Sequence, residues 1–276
     1  MRVDAHQHFW RISRGDYGWL TPDQVPLYRD FLPADLAPLL TRYEIEETVL
    51  VQAAPSLKET LYLLDVAHHT PFVVGVVGWV DLESPEAIDH IGALTDDSYL
   101  VGVRAMIHDI ADPEWLLRES LHPVLDFLAD QQLALDALIR PVHLPVLGEF
   151  LDRYDDLRVV IDHGAKPDIA GGMYDDWAGH LTALAQRNPN LFCKLSGLIN
   201  EAGPQWSVAT LKPYVQRIID AFGPERVMWG SDWPVINAVA TYDQWVAASG
   251  ELLEGYNTKE LAWMHGDTAR HVYRLP

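Results

Sequence analysis

The sequence predicts an α/β protein built around one parallel sheet. Eight short apolar runs, rich in β-branched residues, recur along the 276-residue chain, and stretches with helical spacing lie between most of them. Strands that alternate with helices form parallel sheets. No Gly/Ser-rich linker or block of charge divides the chain. We therefore expect one domain, residues 1–276, closed into a single (β/α)8 barrel, with an open doubly wound sheet as the alternative.

The eight apolar runs are the expected strands. They cover residues 3–9, 48–51, 72–80, 100–107, 133–139, 158–162, 191–195 and 226–230. Three of the segments between them carry apolar faces with helical spacing. These faces are Leu61, Leu64, Val66 and Ala67; Leu121, Val124, Leu125 and Leu128; and Leu211, Val215, Ile218 and Ile219.

The segment after the first strand separates the barrel from the open sheet. An open nucleotide-binding sheet would carry a glycine-rich phosphate loop there, and no GxGxxG is present. Residues 9–32 instead form a long connection rich in aromatic side chains. Loops of that length usually serve function, so we expect this one to cover an active site.

Charge and cysteine content exclude several classes of function. Twenty Lys and Arg against forty Asp and Glu give a net charge of −20, which repels nucleic acid and anionic membrane surfaces. The single Cys193 forms no internal disulfide, which is typical of a reducing compartment. No secretory signal or apolar run long enough for a bilayer is present. We expect a soluble cytoplasmic protein whose partner is a small molecule.

Two histidines stand at the end of the first predicted strand. His6 and His8 are two residues apart, so strand alternation directs both side chains to one face, which in a barrel is the interior. Two imidazoles at that end of a strand can ligate one divalent ion or donate hydrogen bonds to a substrate oxygen. The alternative is a chance pair on a surface strand.

Reactive groups also stand near the ends of four other predicted strands. They are Arg104, His163, Lys194 and Asp232. Each has a structural alternative: a core ion pair for the arginine, a satisfied buried histidine, a surface lysine, and a helix cap for the aspartate. Catalytic groups of barrels come from the carboxyl ends of several strands, and a core built only for stability would not collect so many charges.

The motifs around these residues resemble those of the amidohydrolase superfamily. They are Val-Asp-Ala-His-Gln-His-Phe-Trp at 3–10, Tyr-Gly-Trp-Leu at 17–20, Gly-Val-Arg at 102–104, His-Gly-Ala-Lys-Pro at 163–167, Lys-Leu-Ser-Gly at 194–197 and Gly-Ser-Asp-Trp-Pro at 230–234. Within the superfamily the chain is most similar to sugar lactonases, the group that includes L-fuconolactonase and L-rhamnonolactonase and is related to 2-pyrone-4,6-dicarboxylate lactonase. The resemblance runs from residue 3 to about 270 and implies a distorted amidohydrolase-type TIM barrel.

The resemblance also implies a set of site residues. The two histidines of the first strand, the histidine of the sixth and the aspartate of the eighth carry over to His6, His8, His163 and Asp232. Binuclear members add a lysine on the fourth strand and a histidine at the end of the fifth. Here Arg104 takes the first place and the fifth strand reads Leu-Asp-Ala-Leu-Ile, with His143 too far beyond it. The alternatives are therefore one divalent ion, zinc, held by the four carried-over residues, or catalysis without metal.

For lactone hydrolysis Asp232 is the expected general base, while His163 and Arg104 stabilise the charge that develops on the carbonyl oxygen. Aromatic and basic residues near the strand ends are expected to bind the sugar ring and its hydroxyls. They are Trp10, Trp19, Trp79, Trp233, His108, Lys166 and Lys194.

Three functions stay open on the sequence alone. The first is hydrolysis of a small aldonolactone such as L-fuconolactone, a neutral substrate that suits the net charge of −20. The second is hydrolysis of a pyrone or aromatic-derived lactone, or metal-dependent decarboxylation of an aromatic acid, on the same scaffold. The third is a sugar-binding barrel without catalysis, which would not need convergent histidines and an aspartate.

Overall fold

The computed structural model describes residues 1–276 and contains one sheet of eight parallel strands. The strands pair in chain order. They are β1 (Val3–Gln7), β2 (Glu47–Val51), β3 (Val73–Gly78), β4 (Leu100–Ala105), β5 (Ala134–Ala137), β6 (Val159–Ile161), β7 (Leu191–Leu195) and β8 (Val227–Trp229). Backbone bonds from His8 N to Trp233 O (2.7 Å) and from Asp232 N to His6 O (2.8 Å) join the segment after β8 to β1. The predicted (β/α)8 barrel is confirmed.

Eleven α-helices surround or extend this sheet. They are α1 (Pro33–Tyr43), α2 (Leu57–His68), α3 (Ala87–Leu94), α4 (His122–Asp130), α5 (Leu144–Leu151), α6 (Asp175–Arg187), α7 (Leu198–Ala202), α8 (Val208–Phe222), α9 (Tyr242–Leu252), α10 (Thr258–Ala262) and α11 (Thr268–Tyr273). None of them is both long enough and apolar enough to cross a membrane.

The predicted helices α4 and α8 bury the expected residues, but the predicted face of α2 is wrong at one position. Leu61 is 56% exposed, whereas Glu59 and Thr60 are fully buried. The reason is local: the Thr60 hydroxyl bonds to the backbone of Trp79, and Glu59 bonds to the backbone before the helix. These polar contacts rotate the buried face away from Leu61.

The interior of the barrel is apolar at one end and charged at the other. At the amino end of the strands, inward valines and alanines pack with Ala269, Val272 and Tyr273 of α11, which closes that end. Nearer the carboxyl ends, Asp136 and Lys194 are fully buried inside the barrel. Because α11 fills the bottom, the carboxyl ends of the strands are left to form the site, as is general in this fold.

The strands are mostly shorter than the apolar runs that predicted them. Run 3–9 ends as a strand at Gln7 and run 158–162 ends at Ile161, so His8 and Asp162 lie just beyond their strands. β1 also has an irregular register with β2 between Asp4 and Gln7. Such bulges re-aim side chains, and here His6 lies within the irregular stretch and His8 follows it.

Candidate active site

Three imidazoles and one carboxylate meet at the carboxyl end of the barrel. The Nε2 atoms of His6 and His8 are 3.2 Å apart. Oδ1 of Asp232 lies 3.4 Å from Nε2 of His8, 3.7 Å from that of His6 and 3.9 Å from that of His163. All four side chains are buried. The residues that the sequence placed on strands one, six and eight are thus brought together around a single point.

Two of these residues have backbone conformations that are rare for residues other than glycine. His163 has φ 54° and Asp232 has φ 57°, both in the left-handed region. Such positions cost free energy and persist only where neighbours hold them, as at many active sites. The Asp232 amide donates to His6 O (2.8 Å), and the Ile236 amide donates to Asp232 O (2.9 Å). The turn after β8 is therefore tied directly to β1.

Two glycines leave the space that His6 and His163 occupy. A Cβ on Gly230 would lie 2.8 Å from Cβ of His6, and a Cβ on Gly197 would lie 2.6 Å from Nδ1 of His163. Any larger residue must displace the ring. The motif glycines after β7 and β8 are thus required by close packing against the site histidines.

Hydrogen bonds fix the rings. His8 Nδ1 donates to the carbonyl of Val51 (2.8 Å), which leaves its Nε2 facing Asp232. His163 Nδ1 is 2.8 Å from the hydroxyl of Ser196. With their other nitrogens held by β2 and the end of β7, both rings present Nε2 to the same carboxylate, a preorganised arrangement typical of catalytic and metal sites.

Arg104 connects this cluster to the neighbouring strands. Its Nη1 lies 3.2 Å from Oδ2 of Asp162 and 3.4 Å from Nε2 of His6, and its Nη2 donates to the carbonyl of Gln52. The guanidinium also lines the open cavity described below. Because arginine stays protonated at all relevant pH values, it provides a fixed positive charge at the edge of the cluster.

Lys194 lies beneath the cluster rather than in the cavity. Its ammonium is 3.1 Å from Nδ1 of His6 and from Oδ1 of Asp162, and 2.5 Å from Oδ2 of Asp136. The Tyr273 hydroxyl donates to Asp136 from α11. These charges are fully buried, so each depends on its partner. The lysine supports His6 from below.

Electrostatics keep the carboxylate of Asp232 ionised and the imidazoles of His6 and His163 neutral at neutral pH. Burial alone raises the pKa of Asp232, but the adjacent His163, His8 and His6 outweigh it and hold that pKa well below its usual value. Burial lowers the pKa of His163 to about 4. Burial, reinforced by the charge of Lys194, lowers the pKa of His6 well below its ordinary value. Asp232 is therefore available as a proton acceptor.

Three of these residues, His6, His8 and Asp232, fit a mononuclear metal, and His163 lies beside them with its Nε2 3.9 Å from Oδ1 of Asp232. Ligand atoms about 2.0–2.1 Å from a tetrahedral zinc ion are separated by about 3.3 Å. The separations among His6, His8 and Asp232 run from 3.2 to 3.7 Å, close to that value. Imidazole nitrogen and carboxylate oxygen are also donors that zinc accepts. On β4 and β5 the charged residues are Arg104 and Asp136, so neither strand carries the lysine or the histidine that the resemblance gives to binuclear members.

A cavity of about 240 Å³ opens above the cluster. It is lined by His8, Trp19, Ala53, Arg104, Met106, His108, Asp109, Leu138, His163, Lys166, Asp232 and Val235. Trp19 reaches it from the long 9–32 connection and is fixed by an Nε1 bond to the carbonyl of Ala53 (2.7 Å). Lys166 is paired with Glu201, and Nε2 of His108 lies 3.2 Å from Asp109.

Four other residues singled out from the sequence lie away from this cavity. Trp10 is fully buried, where it donates to Arg29 O (2.8 Å) and packs edge-on against Trp19. Trp233 is buried against Phe9 and Phe31. Trp79 lines a neighbouring cavity that shares Met106 and Asp109. His143 lies in the turn Pro141–His143. Trp10 therefore supports the aromatic wall instead of forming it.

Several residues of the site were missed by sequence reasoning. They are Gln52, Ala53, Glu59, Met106, Asp109, Asp136, Leu138, Asp162, Ser196 and Val235. Asp136 and Asp162 carried a usable signal, since each is a carboxylate at or beside an apolar strand and buried charges need partners. Ser196 and Glu59 act through side chains whose partners are distant in sequence or are backbone amides. Asp109 acts through its side chain, which contacts His108. The rest act through backbone groups or shape, which no short motif reveals.

The chain matches known proteins over nearly its whole length. The model of the amidohydrolase family matches residues 3–275. An L-fucono-1,5-lactonase of Burkholderia ambifaria is 44% identical over 99% of this chain and 96% of its own length. An L-fucono-1,5-lactonase of Burkholderia multivorans is 33% identical over 100% and 97%. A crystal structure of an amidohydrolase from Burkholderia multivorans with bound zinc is 32% identical, covers 100% of both chains and superposes with a TM-score of 0.93. The chain belongs to the amidohydrolase family.

Proposed function

We propose that this protein hydrolyses a small sugar lactone, an aldono-1,5-lactone such as L-fucono-1,5-lactone, to the aldonic acid. The observation that carries the proposal is Asp232, an ionised carboxylate within 3.4–3.9 Å of three imidazoles at the floor of an open cavity. The two lactonase relatives, aligned over 99% and 100% of this chain, support the same reaction class.

In the proposed reaction Asp232 takes a proton from a water molecule that attacks the lactone carbonyl carbon. A bond forms between the water oxygen and that carbon, and the bond from the carbon to the ring oxygen then breaks. The carboxyl group returns the proton to the departing ring alkoxide, so the product is a hydroxy acid. Arg104 lies beside the cluster with its guanidinium in the cavity wall, where it stabilises the negative charge on the carbonyl oxygen.

His6, His8, His163 and Asp232 are the residues that would hold one zinc ion. When bound, zinc lowers the pKa of a coordinated water and polarises a carbonyl. The chain itself provides the carboxylate, the fixed guanidinium and the oriented imidazoles. Whether turnover requires the ion is decided by chelation.

The cavity walls favour a neutral polyhydroxylated ring. Trp19 offers an aromatic surface for C–H groups, while His108 and Lys166 present polar atoms on the other side. Arg104 and Lys166 are the only Lys or Arg side chains in the lining, and Lys166 is paired with Glu201. A dicarboxylate lactone would require more cationic groups, so an aldonolactone is the better match.

The test is proton release from a panel of aldono-1,4- and 1,5-lactones in weakly buffered indicator solution. We expect turnover of one or two sugar lactones by the wild type, loss of turnover in Asp232→Asn, and no loss in Asp152→Asn, which alters an exposed aspartate paired with Arg187. A chelated sample measures the metal requirement. If the folded wild type is silent on all sugar lactones but acts on pyrone lactones or aromatic acids, the proposal is wrong and the second function of the sequence analysis replaces it.

A further inference from the structure

Glu59 is a buried carboxylate outside the cavity, in the first turn of α2. Its Oε2 accepts hydrogen bonds from the amides of Ala53 (3.0 Å) and Ala54 (2.7 Å), and its Oε1 lies 3.1 Å from the Ala53 amide. The residue is fully buried. No lysine or arginine forms an ion pair with it, so the backbone amides of Ala54 and Ala53 contribute most to the stabilisation of its charge, and Arg104 and Tyr17 add to it.

This arrangement departs from ordinary helix capping. A glutamate three residues after the capping residue usually bonds back to the amide of that capping residue, as Glu260 does to Asn257 (2.8 Å) in α10. In α2 the capping residue is Ser56, and its amide instead donates to Ala54 O (2.8 Å). Glu59 reaches past it to the two amides farther back in the chain. The carboxylate therefore fixes the loop after β2, beyond what the helix needs.

The segment that Glu59 fixes presents two carbonyls to the cavity wall. Gln52 O accepts from Nη2 of Arg104, and Ala53 O accepts from Nε1 of Trp19 at 2.7 Å. Arg104 and Trp19 both line the cavity, and each touches this loop through one backbone carbonyl. A shift of the peptide at 52–53 therefore moves the guanidinium and the aromatic wall together.

We propose that Glu59 is a positioning residue for catalysis, which acts by holding the 52–54 loop so that its carbonyls orient Arg104 and Trp19. The inference rests on the proposed function for the role given to Arg104. Burial raises the pKa of Glu59 to about 7, against the opposing effect of the Ala54 and Ala53 amides. The positioning role needs only an acceptor aimed at the two amides and not a charge, so a neutral acceptor of the same shape should serve nearly as well.

The experiment measures kcat and KM for the lactone that the wild type turns over, with thermal melts of every variant. Glu59→Ala removes the acceptor, and because a displacement near 1 Å costs about 10²-fold in rate, we expect kcat to fall by about 10- to 100-fold. Glu59→Gln keeps an oxygen for the two amides and should retain activity within about 5-fold of wild type, with equal or higher stability. Glu260→Ala is the matched control: it removes a capping glutamate remote from the site and should lose stability alone.

A double-mutant cycle with Arg104→Met separates positioning from general loosening. If Glu59 acts through Arg104, the double variant loses less rate than the two single losses combined, because the loop then has no guanidinium to orient and only the Trp19 contact remains. Additive losses, an unchanged kcat in Glu59→Ala, or equal losses in Glu59→Ala and Glu260→Ala each overturn the inference. If Glu59→Ala does not fold, Glu59→Asp serves, since it keeps the charge but falls short of the amides, and the same outcomes apply.

Failure of the inference and failure of the proposed function are distinguishable. If the wild type turns over no lactone, the proposed function fails, and the double-mutant cycle then gives no information on the role of Glu59. In that case hydrogen exchange still reports on the loop: the amides of Ala53 and Ala54 should lose protection in Glu59→Ala and keep it in Glu59→Gln. Unchanged protection in both variants overturns the positioning role independently of any activity.

Discussion

Replacing Gly230 by alanine tests whether the position of His6 controls the rate. The added Cβ would lie 2.8 Å from Cβ of His6 and 3.0 Å from its backbone nitrogen. Non-bonded carbons normally approach to about 3.5–4.0 Å, so the histidine must move by about 0.7–1.2 Å. A displacement of that size in a catalytic group costs about 10²-fold in rate, and overpacking a core costs about 1–3 kcal/mol.

The assay is kcat/KM for lactone hydrolysis together with the free energy of unfolding from urea titration. Gly250→Ala is the matched control, because that glycine lies in α9 with nothing within 4 Å of the added Cβ. It should leave kcat/KM unchanged and raise stability by about 0.5–1 kcal/mol. If folded Gly230→Ala keeps the kcat/KM of the wild type, close placement of His6 does not limit the reaction and the reasoning is refuted.

Three further predictions concern the charged groups. Arg104→Met should lower kcat/KM by about 10²- to 10³-fold, as for loss of one oxyanion donor, and should also lower the melting temperature, because the buried Asp162 then keeps Lys194 as its only cationic partner. Arg104→Lys should not restore the rate because lysine lacks the fork, and wild-type rates in either variant would exclude this role. Lys194→Met should lose about 3–5 kcal/mol of unfolding free energy, measured by urea titration, because it leaves buried carboxylates unpaired. Arg187→Ala, which breaks an exposed pair with Asp152, should lose less than about 1 kcal/mol. Similar losses in the two variants would contradict the stabilising role of the buried ion pairs. The pKa of Asp232 is held below its usual value, so this base stays ionised as the pH falls. We therefore expect the profile of kcat/KM against pH to show no acid limb between about pH 5 and 8 that is assignable to Asp232. An acid limb in this range that shifts in a variant of His163 would refute this expectation.

The sequence allowed prediction of the parts of the site that depend on strand order and alternation. The pair His6 and His8 share a face because strands alternate, and His163 and Asp232 join them because parallel strands end at the same rim. These relations need no knowledge of loops. The sequence does not locate the strand ends exactly, because the apolar runs continue into the turns that carry the site. His8, for example, lies beyond the end of β1.

Loops and buried polar groups explain what could not be predicted. Trp10 and Trp19 are both aromatic residues of one connection, yet only the path of the folded chain makes Trp10 the buried support and Trp19 the cavity wall. On α2 the apolar spacing favoured Leu61 as a core residue, while Glu59 is the residue that is buried. Its partners are backbone amides, which every sequence has, so nothing in the local pattern indicates them.

The charges around His6 connect the stability of the barrel with the chemistry at its rim. The Arg104 guanidinium lies 3.4 Å from Nε2 of His6 and the Lys194 ammonium 3.1 Å from Nδ1 of the same ring. Two cations beside one imidazole disfavour its protonation and favour an anion that forms next to it. The buried carboxylates of Asp136 and Asp162 make this arrangement tolerable in the folded state, because Asp136 pairs with Lys194 and Asp162 pairs with both cations. Asp136 and Asp162 thus allow fixed positive charges to lie beside a site that must stabilise a developing oxyanion.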